Sequence, residues 1–174
     1  MSRVLILAGD EPELAASLSA AIAQSHPLTQ VDICKVSEFN SGARSDDDTI
    51  FCPLTLDLPS DLVFPGRDVY EFCGNVTAAR DRVAQDLQVP VGDGSYWLPV
   101  VLTAKGPLYA EAIGVQPDRL SGELIYSQPV HLLDVWRQQL YELAYRLLDL
   151  LNAPPATYLM QFGFVEGRIC FDRL

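Results

Sequence analysis

The sequence predicts an α/β domain of three layers: a mostly parallel sheet of about five strands with helices on both faces, extended by a C-terminal β-hairpin. Three observations predict it. Apolar runs rich in β-branched residues alternate with stretches of helical period, the order that builds parallel strands through right-handed crossovers. One long helical stripe runs from about Val130 to Leu151, through Leu133, Trp136, Leu140, Leu143, Leu147 and Leu151. Beyond Ala153-Pro154-Pro155 the period switches to two, which marks strands.

The elements follow in order. Val4 to Ala8 is a continuous apolar run, suited to a strand buried on both faces. Gly9 turns the chain, and Asp10 with Glu13 forms a D-x-x-E variant of the capping box. Leu14, Leu18 and Ile22 then repeat at helical spacing up to His26-Pro27. Val31 to Val36 reads as a second, more exposed strand, Asn40 to Asp48 as a polar loop, and Thr49 to Cys52 as a third strand. Pro53, Pro59 and Pro65 punctuate an ordered, irregular stretch from 53 to 73. Val76, Ala79, Val83 and Leu87 share a helix face, and a Gly92-Asp93-Gly94 turn leads into a Trp97–Ala104 strand. Leu108 to Ile113 reads as a short helix and Glu123 to Tyr126 as a fifth strand. In the tail, Tyr158, Met160, Phe162 and Phe164 alternate with Thr157, Leu159, Gln161 and Gly163; Glu166-Gly167 turns the chain, and Ile169 and Phe171 return on one face.

Length and composition bound the function. With 174 residues, 49% of them hydrophobic, the chain can bury a core of its own. A single domain is expected over 1–174, with a core at 1–152 and the hairpin at 153–174. The net charge of −11 disfavours nucleic acid and anionic membrane surfaces as partners. The N-terminal apolar run is too short for a span and too quickly acidic for a signal peptide, so a cytoplasmic address is expected. Cys34, Cys52, Cys73 and Cys170 form no CxxC pair and no metal-like cluster with His26 or His131, which predicts reduced thiols and no metal site. The Asn75-Val76-Thr77 sequon needs a secretory route to matter. One glycine followed by Asp10, Glu11 and Glu13 is a poor phosphate cradle, because carboxylates at that helix end repel an anion. There is no GxSxG and no GxxxxGK[ST], and Asp46-Asp47-Asp48 reads as a solvated acidic loop.

Val4 to Leu14 (VLILAGDEPEL) resembles the first strand and acidic turn of response-regulator receiver domains, with Asp10 and Glu11 at acidic positions and Gly9 replacing another. Leu98 to Ala104 resembles the receiver's fourth strand, ending in the phosphoryl-contacting Thr103; Tyr126-Ser127-Gln128-Pro129 is similar to the end of its fifth. The resemblance implies a flavodoxin-like pseudo-receiver that cannot run an aspartyl-phosphate switch. Pro53 holds the acceptor position, Asp57 is out of register, and Gln128 replaces the charge-neutralising lysine. A second resemblance is to ATP-grasp ligases, over Asn75–Leu87, Leu98–Val101, the long helix and the hairpin. It implies an ATP-contacting role near Lys105 and a metal-binding acid near Asp172, in a trimmed relative that has no Glu-x-Asn pair.

The favoured function is therefore non-catalytic: a soluble regulatory or assembly module working through protein contacts or self-association, with no cofactor. The alternative is a small-molecule-binding protein or enzyme, such as a trimmed ATP-grasp-like ligase relative, with its site at the C-terminal ends of the strands. Asp10, Glu11, Thr103 and Gln128 are the candidate pocket. The hairpin face of Tyr158, Met160, Phe162, Phe164, Ile169 and Phe171 either packs on the domain's own core or receives a partner strand or second copy.

Overall fold

The computed structural model describes residues 3–10, 12–39, 48–118 and 121–174. Glu11, most of the polar loop and the first two aspartates of the acidic run lie outside the described residues. The chain divides into two compact units, Met1–Arg67 and Asp68–Leu174.

In the first unit, β1 (Arg3–Ala8) lies between β2 (Gln30–Lys35) and β3 (Thr49–Pro53), parallel to both. Helix α1 (Pro12–Ser25) makes the β1–β2 crossover. It turns Ala15, Leu18 and Ile22 onto Val4, Ile6 and Ala8. Val4 to Ala8 are all buried, as a strand covered on both faces requires.

The second unit is built differently. After α2 (Arg67–Gly74), helix α3 (Val76–Arg82) starts on an Asn75 cap whose Oδ1 accepts from the Ala78 amide at 3.0 Å. One π turn, Val83–Leu87, extends it until Gln88 adopts a left-handed conformation (φ 56°). Then β4 (Tyr96–Thr103), β5 (Gly106–Tyr109), β6 (Ala112–Pro117) and β7 (Leu124–Val130) follow without an intervening helix. Helix α4 (Asp134–Leu150) leads to β8 (Ala156–Val165) and β9 (Arg168–Arg173). The sheet order is β7-β6-β4-β8-β9, with β5 also on β4, and every strand pair is antiparallel.

The fold expected from the sequence is thus corrected: the three-layer, mostly parallel sheet does not form. Among the described residues the parallel sheet is confined to three strands of the first unit, and a separate six-stranded antiparallel sheet, with one isolated parallel bridge from Val91 to Phe171, fills the second. The cause is connection length. Ala104-Lys105 is too short for a crossover, so β5 folds back antiparallel on β4. The chain runs on past Ala110-Glu111 in the same direction, so β6 continues along the same edge of β4. The expected helix at Leu108–Ile113 is replaced by β5 and β6 for the same reason; hairpin pairing overrides the helix preference of Ala110, Glu111 and Ala112.

The core of this unit lies on one face of the sheet. Leu98 and Val100 from β4, Tyr158, Met160 and Phe162 from β8, and Ile169 and Phe171 from β9 meet Phe72, Val83, Leu140, Leu143 and Leu147 from the helical elements. Side chains of opposite parity, such as Val101 and Leu159, remain exposed. No helix among the described residues is long and apolar enough to cross a membrane.

Candidate functional site

In the first unit the strand order reverses at β1: the chain goes to β2 on one side, then to β3 on the other. Loops diverge at such a switch point and leave a crevice beyond the carboxyl ends of the strands. The crevice is present as a cavity of about 360 Å³ lined by Gly9, Asp10, Lys35, Ser37, Thr55 and Asp57, among others. Each strand supplies its wall locally. β1 ends at Ala8, so Gly9 and Asp10 turn over the rim. β2 ends on Lys35 and breaks into a 3₁₀ turn, Val36–Glu38. β3 holds its ladder one residue further, since the Leu54 amide donates to Leu7 O at 2.8 Å. Thr55 Oγ1 then accepts from the Asp57 amide at 3.2 Å, a side-chain turn that fixes both residues at the mouth. The cavity holds one ammonium, two carboxylates and two hydroxyls.

Of the expected pocket residues, Asp10 lines this cavity and Glu11 is outside the described residues. Thr103 and Gln128 belong to the second unit, each tied into its own hairpin. Thr103 Oγ1 donates to Gly106 O at 2.8 Å and accepts from the Lys105 amide at 3.1 Å, closing the β4–β5 turn. Gln128 Nε2 donates to Glu111 O at 3.1 Å. On the hairpin face, Tyr158, Met160, Phe162, Ile169 and Phe171 are buried in the unit's own core, and Phe164 is 38% exposed beside Trp136.

The ATP-grasp resemblance implies a metal-binding acid near Asp172, which is 1% exposed. Its Oδ1 accepts from Arg80 Nη2 at 2.5 Å and from Arg173 Nε at 3.2 Å, and its Oδ2 from the Gly94 amide at 2.8 Å. Arg80 also reaches Asp93 at 2.8 Å, and Gln161 Nε2 donates to Gly94 O at 2.6 Å. Burial pushes the Asp172 carboxyl up, but the Arg80, Gly94 and Arg173 hydrogen bonds carry it below its ordinary value. The glycines make the approach possible: a Cβ on Gly94 would fall 2.4 Å from Phe162 O, and one on Gly163 2.7 Å from Asp93 O. No local pattern announces this cluster, since Arg80 and Asp172 lie 92 residues apart.

The chain has an ATP-grasp-like fold. A solved structure of glycinamide-RNase-transformylase T from Mycobacterium tuberculosis is similar with a TM-score of 0.69 and 14% identity, over 98% of this chain and 70% of that one. Another, macrocyclase MdnC bound with precursor peptide MdnA from Microcystis aeruginosa MRC, has a TM-score of 0.49 and 10% identity, over 98% of this chain and 90% of that one. No protein-family profile and no curated protein sequence matches this chain. The resemblance to receiver domains is overturned: the structural neighbours are ATP-grasp-type enzymes, so this is no pseudo-receiver. Val4–Leu14 does form a strand and a helix, but Leu98–Thr103 lies in an antiparallel sheet and Tyr126–Pro129 on its edge strand.

An ATP-grasp-like fold raises the question of a metal-bound nucleotide. At Asp172 the residues do not fit the metal. Both carboxylate oxygens are taken by two guanidinium groups and an amide, so a cation would have to displace all three and share the site with Arg80 and Arg173. Among the described residues no group of three His, Cys, Asp or Glu forms a ligand set. Lys105 sits exposed at the β4–β5 turn.

Proposed function

We propose that the protein is a trimmed ATP-grasp-like ligase relative that binds a small polar molecule at the carboxyl ends of its parallel strands. The observation that carries this reading is the crevice holding Lys35 opposite in charge to Asp10 and Asp57, with the Ser37 and Thr55 hydroxyls beside them. Such a set complements a molecule bearing both an amine and a carboxylate: the ammonium takes the carboxylate, and the aspartates take the amine. The occupied Asp172 supports binding without metal-assisted transfer at that position. Thermal melts with glycine, glycinamide, acetate and magnesium-ATP test the reading. Glycine should raise the melting temperature more than glycinamide or acetate, and Lys35→Gln should abolish the difference. A magnesium-dependent rise with ATP, or no response to glycine, rejects it.

A second reading, a non-catalytic module acting by protein contact, draws on β7. This edge strand exposes Leu124 (56%), Ile125 (53%) and Tyr126 (53%), and Leu124–Gln128 carries no charge. Uncharged edge strands readily accept another strand, and the proline of β7, Pro129, lies beyond the 124–128 stretch that would pair. The occupant named here is a second copy, because two uncharged β7 strands meet across a two-fold axis with no like charges opposed. Sedimentation should then show a dimer that Ile125→Lys splits; a monomer at all concentrations rejects it.

A further inference from the structure

We propose that the second unit carries a separate binding cleft for a small organic anion with an apolar body, a carboxylate or a phosphate monoester, held by Arg146 and Arg168 against Trp136. The two arginines line a cavity of about 410 Å³ whose apolar wall includes Trp136, Leu143 and Ile169. That volume lies within the range of small-molecule sites, and the mixture of an apolar wall with a few polar groups is their usual chemistry.

The cleft is assembled from three segments: a line along α4, the 88–90 segment after the π turn, and the β8–β9 turn. On α4, residues 136, 139, 143 and 146 are spaced by three and four and so run along one side of the helix. Leu143 is buried, and Trp136 stands edge-on to Phe164 at 5.5 Å, which fixes the indole as a wall. Arg146 Nη2 donates to Leu87 O at 3.2 Å. One of its five N–H donors is thereby spent on holding the group in place, and the others remain for a ligand.

Charge is the second line of argument. The protein carries −11, and the other described arginines of this unit are matched to acids: Arg80 and Arg173 to Asp172, Arg82 to Asp86, and Arg137 to Asp134. Arg146 and Arg168 have no carboxylate partner within ion-pair distance among the described residues. Both line the same cleft, where Glu142 is the single acid, so the cleft is locally positive on an acidic protein. A guanidinium pair beside an aromatic wall favours an anion whose body can lie on the indole.

The protein has two tryptophans, so Trp97→Phe leaves Trp136 as the sole indole reporter. Titrating that variant with phenyl phosphate and with benzoate should give saturable changes in Trp136 emission. Inorganic phosphate and phenol, each offering half of the recognised chemistry, should bind more weakly. The better of the two aromatic anions identifies the headgroup. Calorimetry on the unmodified chain should return the same affinity, and it decides alone if Trp97→Phe fails to fold. Arg146→Gln and Arg168→Gln should each weaken binding by about tenfold. Absence of saturable binding by both aromatic anions overturns the proposal, as does full affinity in Arg146→Gln together with Arg168→Gln.

Discussion

Strands β1 and β8 bury their side chains in different ways. From Val4 to Ala8 in β1 every residue is buried. In β8, Tyr158, Met160 and Phe162 are buried while Leu159 between them is 40% exposed. A parallel strand central in its sheet is covered on both faces; an antiparallel strand can leave one face to water. The difference teaches what a pattern of hydrophobicity reports. It records which faces are covered, and only indirectly how strands connect.

Core truncations test this contrast with the largest effect. Leu5→Ala and Ile6→Ala are adjacent, point to opposite faces of β1, and should each cost about 2–5 kcal/mol in chemical denaturation. In β8, Phe162→Ala should cost about 3–5 kcal/mol. If one of the two β1 substitutions proves silent, β1 is covered on one face only, and the contrast between the strands fails.

The buried ion pair comes next. Asp172→Asn keeps the shape of the side chain but removes the charge that two guanidinium groups share. Because Arg80 is still 24% exposed and can be rehydrated, the loss should fall near the lower end of the range for broken buried pairs, about 3 kcal/mol. Its pH dependence has a definite sign. The Asp172 carboxyl is held below its ordinary value in the folded chain, so on acidification the unfolded chain takes up the proton first. The stabilisation is complete above the unfolded value of about 3.9 and is lost as pH falls through the lower folded value. Melting curves of wild type and Asp172→Asn should therefore converge only on acidification below about pH 4. A gap that closes already near neutrality would mean that the pair contributes nothing there.

A smaller effect is expected at the start of α3. Asn75 caps the helix through the Ala78 amide, and Asn75→Ala should cost about 1 kcal/mol in the same denaturation assay. An unchanged midpoint would show that tertiary packing of Ala79 and Val83, without the cap, holds the helix end.

These elements also mark what the sequence could and could not say. Local signals were sufficient for β1, α1, β2, β3, β4, α4 and the β8–β9 hairpin, because each writes its burial into a run or a period. The order of strands and helices misled: β5 and β6 are short, and their pairing with β4 is decided by connection length rather than by residue preference. Helix α2 lay hidden behind Pro53, Pro59 and Pro65 in a stretch read as irregular. At the strand-end crevice Asp10 was legible because it follows a strand and precedes a helix. Lys35, Ser37, Thr55 and Asp57 join it only through the strand order β2-β1-β3, which no local pattern reveals. The Asp172 cluster was less legible still, since it depends on glycines at 94 and 163 letting two backbones meet.

The smallest expected effect is the most discriminating for the exposed side of the antiparallel sheet. Leu159 alternates with Met160 and stands opposite Pro99, on the face that carries Val101 and not the core. Leu159→Thr introduces a β-branched residue suited to a strand and exchanges apolar surface for a hydroxyl that water can satisfy. In a chain whose face meets solvent, the change should lie within about 0.5 kcal/mol of zero. Met160→Thr, one residue along, buries the same hydroxyl in the core and should cost several times more. The pair therefore measures coverage directly. A large loss at Leu159, or one that grows with protein concentration, would show that this face is covered in solution by a second copy, and the one-sided sheet would then belong to the isolated chain alone.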